Sequence, residues 1–238
     1  MISCIKIDER FEVTTVTIAP KFINLECSRV EKIWQQALKE NSRLFDGTAL
    51  CADSVSNELL TCCQVPYRFI YAQTRDLTLK NIQNLKTAAV TGVVIAHDQI
   101  FVGKRALDVT QCPGLLELVP AGSLVPSSAT NGRVDFTLQL LSELEEEVGI
   151  SRDKVREIRP FLLIDDEQEG VLDICCKILL DKCESESILD NFRPGEYSKL
   201  CALTIEELKA SVEKHADRWV PASVLIIAQL AKEHHSPC

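Results

Sequence analysis

The sequence predicts an α/β (α+β) chain in which helices are layered on a mixed sheet. Short runs rich in β-branched and apolar residues recur along the chain, as strands require. Segments with helical periodicity are interleaved with them, which indicates layering rather than a bundle. The composition, 46% apolar and 26% charged over 238 residues, is that of a globular protein with a sizeable core. It excludes a disordered chain. The longest apolar run, Val224-Leu225-Ile226-Ile227-Ala228, is far short of the roughly 20 residues that span a bilayer.

The elements follow in order. Phe11 to Ile18 is rich in β-branched residues and reads as a strand. Ser28 is placed to cap a helix from Arg29 to Glu40, with Val30, Ile33, Trp34, Ala37 and Leu38 on one face. Thr48 to Ala52 and Leu59 to Cys63 read as strands, and Pro66 to Ala72 follows. A polar stretch within 76–88 marks a boundary, giving an N-terminal α+β segment, 1–85, and a second unit, 86–238. Val90 to Ile95 and Ile100 to Gly103, joined at His97-Asp98, form a hairpin. Leu115 to Val119 is a strand that ends at Pro120-Ala121-Gly122, and Pro126 to Arg133 is a polar loop. Asp135 to Val148 is helical and Gly149 stops it. Strands follow at Ile158 to Ile164, Val171 to Leu180 and Lys199 to Leu203. Thr204-Ile205-Glu206-Glu207 is a capping box that opens a helix, and a last helix runs from Pro221 to Lys232. Trp34 and Trp219 read as core anchors.

Charge is unevenly spread. Residues 1–85 hold 10 Lys+Arg and 10 Asp+Glu, so the whole net charge of −9 falls in 86–238. A nucleic-acid binder would show a basic face instead, so none is expected as a partner. The 11 cysteines show no C-x-x-C spacing, and none of the four histidines pairs with a cysteine at ligand spacing, so zinc is not expected. The start of the chain carries no apolar core flanked by basic residues. Reduced thiols, a cytoplasmic location and no membrane partner are the expectation.

The chemistry is concentrated in Leu141-Ser142-Glu143-Leu144-Glu145-Glu146-Glu147-Val148-Gly149-Ile150. On a helix, Glu143, Glu146 and Glu147 share one face, and Leu141, Leu144 and Val148 form an apolar stripe. Carboxylates so close repel one another, and the last turns of a helix disfavour negative charge, each effect costing some tenths to about 1 kcal/mol. A hard divalent cation such as magnesium, or manganese, would reverse that sign. A solvated acidic face is the bland alternative.

The order of strand, Pro-Ala-Gly turn, loop, acidic helix and glycine stop resembles the Nudix hydrolase superfamily. Its box reads G-x5-E-x7-R-E-U-x-E-E-x-G-U, with U aliphatic, and Glu143 to Ile150 matches the second half. Gly114 to Gly122 is similar to the strand and turn that precede it. The chain departs from the box in two residues: Ser142 stands where the family has arginine, and Val134 where it has its upstream glutamate. The loop after Gly122 is also longer. Arg133 is the candidate to compensate for the missing arginine. A narrower resemblance, to eukaryotic members that hydrolyse UDP-sugars, lies in Leu44 to Leu50, Tyr67-Arg68-Phe69, Thr74-Arg75-Asp76, Phe101 to Arg105 and Cys112-Pro113-Gly114.

The resemblance implies a Nudix α/β/α sandwich over 86–238. It implies magnesium-dependent hydrolysis of a nucleoside diphosphate sugar such as UDP-glucose, to UMP and a sugar 1-phosphate. Glu143, Glu146 and Glu147 would hold the metal and carry catalysis. Lys104, Arg105, Tyr67 and Arg68 would meet the substrate. The base would be a helix glutamate or one of Asp165, Asp166, Glu167 and Glu169. Two alternatives stay open: another nucleotide substrate (ADP-ribose, a dinucleotide or a nucleoside triphosphate), and a Nudix-fold binding or regulatory module that has lost turnover. Residues 1–85 would cover a sheet edge, complete the uridine pocket or support a homodimer.

Overall fold

The computed structural model describes residues 1–16, 26–42, 44–109, 111–181 and 185–234. In chain order the elements are β1 (Ile2–Lys6), β2 (Glu12–Val16), α1 (Cys27–Glu40), β3 (Thr48–Val55), β4 (Leu59–Pro66), α2 (Tyr67–Arg75) and α3 (Leu77–Gln83). Then come β5 (Thr87–Ala96), β6 (Gln99–Arg105), β7 (Leu116–Leu118), β8 (Ala121–Ser123), β9 (Ala129–Thr130), β10 (Arg133–Val134) and α4 (Phe136–Glu143). A π turn, Leu144–Val148, extends α4. The chain continues through β11 (Val155–Asp166), β12 (Val171–Leu180), α5 (Ser185–Asn191), β13 (Tyr197–Thr204), α6 (Ile205–His215) and α7 (Pro221–His234).

The strands form one mixed sheet with the order β1-β11-β12-β5-β3-β4-β2-β10-β9, while β6 joins β5, β7 and β13, and β8 lies on β5. β12 runs parallel to β5, with Asp173 opposite Ala89, and β2 runs parallel to β4. The N-terminal strands belong to the same sheet: β1 pairs with β11, and β3 meets β5 at Cys51 and Thr87.

Strand alternation sends side chains to two cores. Val90 and Val94 of β5, with Ile174, Cys176 and Ile178 of β12, pack with Leu140, Leu144 and Val148 of the α4 segment. Val93 and Cys175 face the other way, toward Leu208, Trp219, Ile226 and Ile227. Helices therefore cover both faces, and the mixed α/β expectation holds. A smaller core gathers Val30, Cys51, Cys63, Val65, Phe69 and Leu79. Trp34 and Trp219 are buried, as expected of anchors, and Cys51, Cys62, Cys63, Cys175 and Cys176 are buried free thiols. No helix among the described residues is long and apolar enough to cross a membrane.

Local signals explain most boundaries. The capping box at Thr204 is formed, with the Glu207 amide donating to the Thr204 hydroxyl. Asp135 caps α4 by accepting from the amides of Thr137 and Leu138. Gly149 ends the segment in the left-handed region, φ 77°.

Other expectations are corrected. Ser28 does not cap α1, which begins at Cys27 after Glu26 and without a side-chain cap. The strand expected over Phe11 to Ile18 is β2, which reaches Val16, and Thr17 and Ile18 lie outside the described residues. The loop 126–133 contains a small hairpin whose turn, Asn131-Gly132, has φ of 52° and 78°. Asn-Gly is the pair that suits two positive φ values in a two-residue turn. The apolar stripe of α4 runs through Leu140 rather than Leu141, which is only partly buried.

Candidate active site

The site starts from a glycine. β8 runs antiparallel to β5, with Gly122 opposite Val90. A Cβ on Gly122 would stand 2.3 Å from Glu143 Oε1 and 2.5 Å from its Cδ. Only glycine lets the Glu143 side chain lie against this strand. Gln139, one turn earlier on α4, donates to Glu143 Oε1 at 2.6 Å. Glu147 is tied to the same strand, its Oε2 accepting from the Ala121 amide at 3.0 Å.

Both carboxyls are partly buried and both titrate high. Burial pushes Glu143 up against the opposing Gln139 bond, and the charges of Glu146 and Glu196 add to it. Burial pushes Glu147 up to about 8; the Ala121 amide opposes this, and Glu143, Glu196 and Glu117 reinforce it. Two carboxyls held where negative charge is unfavourable form a site that a cation would stabilise.

They line a cavity of about 370 Å³ whose wall also carries Glu117, Asp166, Glu169, Asp173 and Glu196. Among the described residues, its only basic lining residue is Arg105. That guanidinium is engaged: it donates to Glu117 Oε2 at 2.6 Å and to the Gln111 carbonyl at 2.9 Å. The Tyr197 hydroxyl donates to the same Glu117 oxygen at 2.9 Å.

The remaining expected site residues are elsewhere. Glu146 is exposed and outside the cavity lining, with the Ser142 hydroxyl 3.4 Å from its Oε1. Glu143 ends α4 and Glu146 and Glu147 lie in the π turn, and of these three Glu143 and Glu147 face β8. Lys104 is exposed and lies outside the lining, because alternation along β6 points it away from the side Arg105 takes. Tyr67 packs edge-on against Trp34, ring centroids 6.2 Å apart, and Arg68 pairs with Asp46 at 2.5 Å; neither lines the cavity. Arg133 pairs with Glu12 and does not replace the missing arginine. Where β11 turns into β12, Asp165 pairs with Lys86 at 2.6 Å and Glu167 approaches the Met1 amine, while Asp166 and Glu169 reach the cavity.

No group of three or more His, Cys, Asp or Glu side chains among the described residues is gathered to hold a metal ion. Of the three expected ligands, Glu143 and Glu147 meet on the cavity wall, and Glu146 lies outside its lining. Glu143 and Glu147 still offer hard oxygens in a site disfavouring negative charge. That suits magnesium or manganese, which take one or two carboxylates along with waters and phosphate oxygens.

Glu117, Asp173, Glu196, Gln139 and Thr91 escaped the sequence reading. Asp173 had a signal, because it is a lone acid in the apolar run Val171 to Leu180. Glu196 had none, since only the return of β13 beside β6 brings it to the cavity.

No family model matches the chain, and neither does any curated protein. Solved structures do resemble it. Tm1382, a putative Nudix hydrolase, is 17% identical with a TM-score of 0.47, over 83% of this chain and 94% of that one. A bifunctional NMN adenylyltransferase/ADP ribose pyrophosphatase from Francisella tularensis, complexed with AMP and manganese, is 16% identical with a TM-score of 0.48. That match covers 70% of this chain but only 47% of the bifunctional protein. The Nudix domain of Shewanella oneidensis NrtR with ADP ribose is 14% identical with a TM-score of 0.45, over 63% of this chain and 89% of that one.

Proposed function

We propose that this chain is a divalent-cation-dependent Nudix pyrophosphohydrolase, and that its substrate is a nucleoside diphosphate sugar such as UDP-glucose, cleaved to UMP and a sugar 1-phosphate. The observation that carries the reading is the pairing of Glu143 and Glu147 on the wall of one cavity, seated on Gly122 and Ala121. The sugar nucleotide is supported by the segments Phe101 to Arg105 and Cys112-Pro113-Gly114, which reach the cavity through Arg105 and Cys112. Both segments carry the narrower family resemblance.

Magnesium, held by Glu143 and Glu147, supplies charge neutralisation and polarisation of the diphosphate when bound. Gln139 and the Ala121 amide orient the two carboxyls before substrate arrives. Arg105, exchanging part of its contact with Glu117 for a phosphate oxygen, orients the diphosphate. The proton leaving the attacking water passes to a carboxylate of the same wall. The Arg105–Glu117 contact also favours a second reading, a nucleotide-binding module without turnover, because it occupies the one basic group that the described residues bring to the cavity.

The test is a panel of UDP-glucose, UDP-galactose, ADP-ribose, a dinucleoside polyphosphate and nucleoside triphosphates, each with and without magnesium. UMP released from the UDP-sugars only with magnesium is the expected result. Cleavage of the other nucleotides alone would move the substrate. Binding without cleavage would establish the module.

A further inference from the structure

One group in the cavity does nothing for the chemistry just described. Asp173 is the acid within apolar β12, 7% exposed, and it lines the cavity. The Thr91 hydroxyl donates to its Oδ2 at 2.6 Å. Its Oδ1 is buried and has no hydrogen-bond partner among the described residues. Its cross-strand neighbours are Ala89 on β5 and Ile164 on β11, and their side chains offer no donor. An unpaired buried acceptor destabilises a fold, and such a group calls for an explanation. Burial pushes the Asp173 carboxyl up to about 6, against the Thr91 bond, and the Glu117 charge adds to it.

We propose that Asp173 is a specificity residue of this cavity, its unpaired oxygen accepting a hydrogen bond from an N–H or O–H donor on the non-phosphate part of the ligand. A phosphate is excluded as the partner, since its oxygens are acceptors and carry like charge. The donors left on a nucleoside diphosphate sugar are a base N–H and a sugar hydroxyl. A site built around a buried acceptor selects strongly for ligands that carry the matching donor, because the others leave the acceptor unpaired. The inference rests on the nucleotide-sugar reading of the cavity and deepens it.

The experiment compares wild type with Asp173→Asn. It reads KM and kcat on UDP-glucose with magnesium, calorimetric affinity for UMP and for glucose 1-phosphate, and thermal melting. Asparagine offers Thr91 its one oxygen and turns an amide toward the ligand donor. KM should rise at least tenfold while kcat stays within about threefold. Melting should hold or rise, because a buried charge is gone. Weaker UMP binding would place the donor on the nucleoside, its base or its ribose, and weaker glucose 1-phosphate binding would place it on the hexose. An unchanged KM with unchanged affinity for both products would overturn the proposal.

Should wild type cleave nothing, the hydrolase reading fails by itself and the affinities decide on Asp173. A tenfold loss in the variant supports its role, whereas no loss, or no binding by wild type, removes it. If Asp173→Asn does not fold, Thr91→Val carries the test. It leaves the carboxylate but frees its anchor, so KM should rise with kcat retained, and an unchanged KM counts against the proposal.

Discussion

Gly122 and Glu143 occupy one volume that only a missing Cβ makes available. A methyl group at Gly122 would meet Oε1, Cδ and Cγ of Glu143 at 2.3, 2.5 and 2.7 Å. All three atoms belong to a side chain that can swing away, so the fold has a way to absorb the clash and the site does not. Gly122→Ala is expected to melt within a few degrees of wild type. Its kcat should fall about 100-fold, the scale of a 1 Å misplacement of a catalytic group. Circular dichroism melts and steady-state kinetics on the same preparation check both parts. A large loss of stability with normal turnover would contradict the packing argument.

The three glutamates of the π turn and its start are not equivalent. Glu143 and Glu147 are seated on β8, whereas Glu146 is exposed and outside the cavity. Glu147→Gln should reduce kcat about 1000-fold or more, the scale set by loss of a preorganised electrostatic group. Glu143→Gln should follow it closely. Glu146→Gln should cost about tenfold or less, in line with a solvated charge. A Glu146 effect as large as that of Glu147 would mean that the third carboxylate joins the pair in the working enzyme.

Burial of the α4 stripe keeps those carboxyls in register. Leu140, on the turn of α4 that precedes Glu143, is fully buried in the core formed with β5 and β12. Leu140→Ala should lower stability by about 2–5 kcal/mol, as removal of a buried leucine does. Turnover should also fall at temperatures where the variant is still folded, since α4 loses the contact that seats it. Chemical denaturation together with kinetics well below the melting temperature separates the two effects.

Much of this arrangement was legible in the sequence, for reasons that differ from element to element. The hairpin of β5 and β6, the Thr204 capping box and the stop at Gly149 are local, so near-neighbour rules reach them. The Asn131-Gly132 turn was equally local, but it sat in a stretch too polar to show strand alternation. Glu143 and Glu147 were legible as a spacing, yet the exposure of Glu146 was not, because a helix face says nothing about which part of it meets another strand. Arg105 was visible as a basic residue at a strand end. Its capture by Glu117 and Tyr197 needs β7 and β13 on either side of β6, a pairing of segments far apart in the chain. Asp173 and Glu196 became site residues through the same kind of long-range contact.

The raised Glu147 carboxyl has a thermodynamic consequence in protein freed of divalent ions. Its folded value, pushed from 4.5 to about 8 chiefly by burial, lies above its unfolded value. Between these limits the folded state holds a proton that the unfolded state has released. The associated stability is therefore complete below about pH 4.5 and disappears as pH rises through 8. Glu143, also raised, acts in the same direction. With a chelator present, the melting temperature of wild type should fall steadily from pH 5 to pH 8. Glu147→Gln cannot ionise there, so it should show a flatter profile and melt higher than wild type at pH 8. Added magnesium should raise the melting temperature of wild type at pH 8 more than that of the variant, because the ion offsets a repulsion that the amide lacks. Differential scanning fluorimetry across a buffer series gives all four curves, and parallel pH profiles for the two proteins would remove Glu147 as the source of the slope.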